Sequence, residues 1–372
     1  MKKNNFDLTL PFLGWFTSKR TEDIFYTEVK RNIFIYNIRA SNNFLLKIID
    51  FIKVLRSGTC KGIVFDCNIG IKSAVMIFLS KFFNFPIIMR LRGGLNGEFF
   101  DKIEDGSHFF NYFNAIMASQ CHKRLLCASE KIFPVSIFSK SQILYELPKV
   151  DINKIKIIYK PVDFNAIDNT EKGKMRELLN IADNKKIILT ATNFNYKRKF
   201  EALLYYNSVI VEFLKKEPDF VYIIVGGGAG IESFKQEIEK TTQKYIQNRV
   251  IVTGLYPRIY EALVDADLFL YMSYRDAGPQ VVKEAQAARL PVIANYSCFG
   301  SNEFLPPDYN GRIKSMFEEK QELHDLLISI MKDENLRKTM GDINRKIAEE
   351  KYNPSKAAEI FLNELGLISP IK

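Results

Sequence analysis

Past residue 180, short apolar runs alternate with longer amphipathic ones, and that alternation leaves few folds open. Residues 186–190, 221–225, 250–253, 267–272 and 291–294 read as strands. Between them, 200–215, 231–245, 258–264 and 279–288 read as helices. Strands separated by helices cannot pair as hairpins. They need crossovers, which build a parallel sheet with helices on both faces. Further helices are expected at 318–331, 334–351 and 354–365. The first half shows the same alternation less regularly, with strands at 32–38, 62–66, 86–91, 132–135 and 155–159. Its helices fall at 44–56, 71–83, 112–126 and 139–147. Residues 1–31 fit the pattern poorly. Residues 160–180 are polar and punctuated by Pro161 and Asp163, and they read as a linker. The expected class is α/β with two domains.

One loop stands out chemically. Ser273-Tyr274-Arg275-Asp276-Ala277-Gly278 follows a strand, and Pro279 opens the next helix. Pro suits the first helical position, because an N–H there would lack a partner. The N–H groups of Gln280, Val281 and Val282 at such a helix start can hold an anion, aided by the helix dipole. Gly278 lets a ligand come close to the backbone. Glu284 lies about 7.5 Å along the helix from Pro279 at about 1.5 Å per residue. One carboxylate therefore stands before the anion site and one beyond it. A nucleotide sugar has hydroxyls at both ends of a diphosphate and matches that layout.

Residues 276–285, Asp-Ala-Gly-Pro-Gln-Val-Val-Lys-Glu-Ala, resemble the acidic-x7-Glu motif of the retaining GT-B glycosyltransferases, family four, also described as group 1. Asp276 departs from the usual Glu by one methylene. The resemblance implies a GT-B fold, with two Rossmann-like doubly wound domains facing a cleft. It implies an acceptor domain over 1–162, a nucleotide-sugar domain over 163–352, and a final helix, 353–372, that crosses back to the first domain. It also implies retaining sugar transfer without a metal or cofactor, the nucleotide sugar being the substrate. Asp276 would hold the donor sugar, with Ala277, Gly278, Pro279, Gln280 and Val281 around it, and Glu284 would hold the ribose.

Other stretches resemble the same family. After the strand at 186–190, Asn193 stands where the family usually has an Arg. Arg198, or Lys199 if one residue is inserted, stands where it has a Lys for the diphosphate. Three cations, Lys197 to Lys199, oppose the dipole of a helix start, and a bound diphosphate would relieve that conflict. Gly226 and Gly228 resemble a Gly-x-Gly turn close to the nucleotide. A dinucleotide frame fails there, since it would need Gly where Ile231 stands. Gly254-Leu255 resembles the turn whose backbone meets the base. Gly300-Ser301-Asn302-Glu303 and Asn310-Gly311 resemble turns after the fifth strand. Arg92, ending a strand, resembles a cleft-facing residue of the first domain and is a candidate for the reaction itself. No carboxylate is placed as a nucleophile, so catalysis is expected to be electrostatic.

Metal chemistry finds little footing. Asp265-Ala266-Asp267 has the form of a metal-binding Asp-x-Asp, but it sits at a helix-to-strand junction. Cys121-His122 and Cys127 lack a second ligand pair. Five cysteines in a long chain suit reduced thiols, hence the cytoplasm. No apolar run reaches the roughly 18 residues of a membrane span, and the N-terminus does not read as a secretory signal.

The net charge of +10 is uneven. Residues 1–168 hold 24 Lys and Arg against 15 Asp and Glu, a net of +9, leaving +1 for the remainder. An anionic partner for the first half follows. The expected partners are a nucleotide-sugar donor, a glycan or lipid-linked acceptor, and an anionic membrane at the inner face. Helix 44–56 and the stretch around Trp15 would make the membrane contact. Nucleic acid is disfavoured, because the aromatics fall in core periodicity rather than among the cations. Rival readings are a nucleotide-sugar epimerase, a basic nucleic-acid-binding protein and an inactive scaffold.

Overall fold

The computed structural model of the chain describes residues 12–16, 35–37, 49, 52, 56, 63–66, 78–91, 93, 109–242, 244–295, 303–306, 309, 311, 313 and 318–366. The chain divides into two compact units, Met1–Pro161 with Asn353–Lys372, and Val162–Tyr352.

The first unit holds a parallel sheet of β1 (Phe12–Phe16), β2 (Ile35–Asn37), β3 (Ile63–Asp66), β4 (Ile87–Leu91) and β5 (Lys131–Pro134), in the order β2-β1-β3-β4-β5. Side chains alternate across it, as the period of two requires. Ile63, Phe65, Ile87, Met89 and Leu91 pack with Leu125 and Leu126 of α1 (Phe109–Ala128) and Ile143 of α2 (Ile137–Glu146). Val64, Ile88 and Phe133 pack instead with Ala357, Ala358, Phe361 and Leu362 of the chain's last helix, Pro354–Glu364. Glu364 anchors that helix by accepting from Lys131 at 2.8 Å.

Two expectations for this unit need correction. Residues 1–31 contain the inner strand β1, which pairs with both β2 and β3. Gly14 interrupts its apolar run, and its hydrogen-bond partners are supplied by strands later in the chain. Residues 155–159 do not form a strand beyond one bridge, Ile155 to Ile132. Lys156 and Ile158 donate to the carbonyls of Ile132 and Pro134 at 3.0 Å. Pro134 has no N–H to return the next ladder bond. Of helix 44–56, residues 49, 52 and 56 are described and helical. The rest of it, and the side chain of Trp15, lie outside the described residues.

The second unit opens with α3 (Phe164–Asp168) and α4 (Lys174–Leu178), and continues through β6 (Lys186–Ala191), α5 (Lys197–Lys216), β7 (Phe220–Val225) and α6 (Ile231–Thr241). A 3-10 turn, Lys244–Arg249, precedes β8 (Val250–Gly254), α7 (Ile259–Asp265), β9 (Leu268–Tyr271), α8 (Gln280–Ala287), β10 (Val292–Ala294), α9 (Glu319–Lys332) and α10 (Glu334–Lys351). The sheet is parallel, in the order β10-β9-β6-β7-β8. The chain therefore winds outward in both directions from β6, and β6 and β9 flank the point where it reverses. In open α/β sheets, ligands bind outside the carboxyl ends of the strands at that point.

Of residues 160–180, expected as a linker, all from Val162 onward are folded into this unit. Asp163 caps α3 by accepting from the Ala166 N–H at 2.9 Å. Arg345 of α10 forks onto Asp168 with two bonds of 2.7 Å and donates to the Ala287 carbonyl at 2.8 Å. Its guanidinium also lies 4.9 Å from the Phe164 ring centroid. A polar stretch reads as a loop in sequence because its partners, Arg345 and Asp265, lie about a hundred residues or more away.

Candidate functional site

Three loops meet at the carboxyl edge of the second sheet, after β6, β7 and β9. Glycines fit two of them together. Gly226 and Gly228 have φ of 148° and 146°. A Cβ on Gly226 would stand 1.9 Å from the Thr192 carbonyl oxygen, and one on Gly228 would stand 2.4 Å from the Asn195 nitrogen. Phe194 donates its N–H to Gly227 and accepts from Gly230, both at 3.0 Å. The glycine run thus builds a tight seam against the loop after β6 and shapes that loop rather than leaving open space at the glycines. The Gly254 carbonyl accepts from the Gly226 N–H at 2.8 Å. Leu255, 79% exposed, projects beside Gly227.

Asn193 shapes the same loop. Its side-chain oxygen accepts from the Asn195 N–H at 2.9 Å, an Asx turn. The Asn195 side chain reaches across to accept from the Ala229 N–H at 2.9 Å. The loop then enters α5 at Lys197, with no side-chain cap and no acid in its first turn.

The cations at that helix start are used differently. Lys199 donates to Oδ2 of Asp276 at 2.7 Å, both side chains being 16% exposed. Arg198 donates from Nε to the Arg275 carbonyl at 2.9 Å and stacks on Tyr196, its guanidinium carbon 4.6 Å from the ring centroid. Lys199 faces the charged loop, and Arg198 tethers that loop's backbone.

Asp276 is the centre of this arrangement. Besides Lys199, it accepts from the Tyr271 hydroxyl on Oδ2 at 2.5 Å and from the Gly278 N–H on Oδ1 at 3.2 Å. Burial pushes its carboxyl pKa up, but the Lys199 charge and these hydrogen bonds outweigh it and bring the group to about 2. A carboxylate has about four lone-pair sites. Here Oδ2 is filled twice and Oδ1 once, so Oδ1 keeps room for one incoming hydroxyl. Tyr271 is a site neighbour that the sequence does not single out. Its signal was a tyrosine closing a strand five residues before the acid, indistinguishable there from a core aromatic.

The loop is pinned from beneath. Buried Asn295, just past β10, accepts from the Ser273 N–H at 3.0 Å and donates to the Ser273 carbonyl at 3.1 Å. Pro279 is the N-cap of α8 rather than its first helical residue, with ψ of 113°. It has no capping side chain, and the first turn of α8 holds no acid. Val282, Ala285 and Gln286 face inward, and Gln286 donates to Phe304 and Asn344. Lys283 is fully buried, its ammonium 4.8 Å from the Phe304 ring centroid. Ala277 is buried, while Gly278, Gln280, Val281 and Glu284 are half-buried on the side that remains.

Asp265 and Asp267 serve the backbone. Asp265 accepts from the N–H groups of Gly173, Met175 and Arg176, capping α4. Asp267 accepts from the Ile187 N–H at 2.8 Å. His122 is buried, which pushes its pKa down to about 4, whereas Cys127 is exposed. Arg92, the stretch 300–302 and Asn310 lie outside the described residues. Gly311 accepts from the Ala294 N–H at 3.2 Å and flanks β10.

Residues 171–347 match the family described as Glycosyl transferases group 1. Among curated relatives, the chain is 23% identical over 202 residues to N-acetyl-alpha-D-glucosaminyl L-malate synthase of Bacillus anthracis, covering 54% of this chain and 51% of that protein. It is 24% identical over 297 residues to chitobiosyldiphosphodolichol beta-mannosyltransferase of Candida glabrata, covering 76% and 62%. The chain thus spans between about half and two thirds of the length of these relatives. The fold is similar to that of Anabaena HepE, solved with UDP and glucose, with a TM-score of 0.70, 16% identity, and coverage of 97% and 100%. It is also similar to sucrose-phosphate synthase of Thermosynechococcus elongatus, with a TM-score of 0.71, 16% identity, and coverage of 96% and 98%. The architecture is the GT-B fold.

Proposed function

The match over residues 171–347 makes this chain a member of the group 1 glycosyltransferases, and on that premise we propose that it moves a sugar, with retention, from a nucleotide-sugar donor to a glycan or lipid-linked acceptor. The observation that carries the reading is the Lys199–Asp276 pair. It lies between two helix starts without side-chain caps, α5 and α8, which follow the adjacent strands β6 and β9. That is the switch point of the sheet, where a diphosphate meets N–H groups and helix dipoles.

In this reading the donor diphosphate lies against the start of α8, with Lys199 beside its leaving oxygen. Oδ1 of Asp276 takes one donor-sugar hydroxyl, Glu284 the ribose, and the turn at Gly254 and Leu255 the base. The bond from the anomeric carbon to the diphosphate breaks while the acceptor oxygen bonds to the same face. The acceptor proton passes to the leaving phosphate. Catalysis comes from positive charge and N–H groups aimed at the charge developing on the diphosphate. Lys199 and the two helix starts supply it without a divalent metal. The structure of HepE with UDP supports a uridine diphosphate donor. The acceptor falls to the basic first unit, and the pathway is cell-surface polysaccharide, glycolipid or glycoprotein glycan synthesis. We assign the activity to the cytoplasm.

Calorimetry with UDP, GDP and ADP tests the reading. One of them is expected to bind the parent chain. Lys199→Ala and Glu284→Ala should each weaken that binding by about tenfold, near 1.4 kcal/mol. Lys199→Ala should also slow donor hydrolysis by about 10²–10³, and Arg198→Ala by less. Unchanged affinity in both variants, or no binding of any of the three, would sink the proposal.

A further inference from the structure

Folding leaves one apolar helix face of the first unit unused. Residues 78–82 are helical. The helix ends at a left-handed Asn84, φ 55°, with the Phe85 N–H bonded to the Ser80 carbonyl at 2.9 Å. Leu79 and Phe83, one turn apart, pack against the cluster containing Ile63, Phe65 and Met89. That stripe is what covering a sheet requires, and the opposite face is ordinarily polar. Here the flank adjoining that stripe carries Phe78 and Phe82, also one turn apart, 68% and 72% exposed. Exposed Lys81 lies beside Phe82. Single exposed apolar side chains are common, but paired aromatics beside a cation compose a face suited to a lipid headgroup region.

The sequence flanking this helix is rich in cations. From residue 51 to residue 97 the sequence holds seven Lys or Arg and a single acid, Asp66. Exposed Arg56 lies with its guanidinium 5.9 Å from the Phe83 ring centroid. The Phe83 ring meets that of Phe82 edge-on at 5.3 Å, so a second cation stands beside the aromatic pair. The first unit carries 26 Lys and Arg against 15 Asp and Glu, a net of +11, which leaves −1 for the second.

We propose that Phe78 and Phe82, with Lys81 and Arg56, form a docking face for an anionic lipid surface. The two rings enter the headgroup region and the two cations meet lipid phosphates. No helix among the described residues is long and apolar enough to cross a membrane, so this contact is peripheral and reversible. The argument uses no residue of the donor site and stands apart from the transferase reading.

Sedimentation of the full chain with vesicles tests it. One set is phosphatidylcholine alone, the other phosphatidylcholine with phosphatidylglycerol. At low salt the parent chain should pellet with the second set and stay in solution with the first. Salt should release it, since surface charge is screened within a Debye length. Lys81→Glu should weaken partitioning by about fivefold or more. Phe78→Ser combined with Phe82→Ser should weaken it by about tenfold or more. Thermal unfolding should hold steady in both, because these side chains leave the core untouched. Equal pelleting of the parent and the double Phe variant overturns the proposal. So does a change in oligomeric state of that variant without vesicles, which would assign the face to a second copy of the chain. Failure of all nucleotides to bind in calorimetry would overturn the transferase reading and leave the vesicle result standing.

Discussion

Replacing Asp276 by Asn probes the charge arrangement at the start of α8. Burial raises this carboxyl's pKa, while Lys199, Tyr271 and Gly278 lower it further, from 3.8 to about 2. At about 1.4 kcal/mol per pH unit, the difference stabilises the ionised form in the fold by about 2 kcal/mol. The folded pKa is depressed, so this stability is complete above about pH 4 and is lost as the pH falls toward 2. Asn keeps the shape, cannot ionise, and leaves Lys199 facing a neutral amide. The variant should be less stable than the parent by about 2 kcal/mol or more at pH 7. That gap should shrink by about 1 kcal/mol between pH 6 and pH 3, where the unfolded parent takes up a proton that the folded one still excludes. Urea titrations at each pH, read by hydrogen exchange in peptides from β6 and β9, report on this unit alone. Taking the difference between the two chains cancels the other carboxylates. A gap that does not change with pH would refute the ion pair with Lys199 as the cause.

Gly228→Ala places a Cβ 2.4 Å from the Asn195 nitrogen at a φ of 146°. It should cost about 3 kcal/mol by overpacking and strain and should weaken UDP binding through the displaced loop; an unchanged melting temperature would contradict the seam. Donor hydrolysis should survive EDTA, because Asp265 and Asp267 are engaged by backbone N–H groups of α4 and β6; loss of activity restored by manganese would overturn this.

The sequence by itself determined the class of the fold and the rough extent of most elements. Apolar runs separated by amphipathic helices admit little but a parallel sheet covered on both faces, and hydrophobic period is a local property. It also brought out the loop before α8 as a candidate site, since an acid, a Gly and a helix start lie close together in the chain. Tertiary structure alone decided the rest. β1 takes its place inside the first sheet because β2 and β3 supply its hydrogen bonds. The polar stretch 160–180 folds because Arg345 and Asp265, far along the chain, satisfy it. Sequence left open which of Arg198 and Lys199 stands in the place of the family's diphosphate Lys, and it carried no sign of what either cation contacts, since adjacent residues point in different directions. The structure aims Lys199 at Asp276 and turns Arg198 to the Arg275 carbonyl. Tyr271 became part of the site only when the turn after β9 folded Asp276 back onto its hydroxyl. Such contacts are long-range pairings of polar groups, and a reading based on local period carries no information about them.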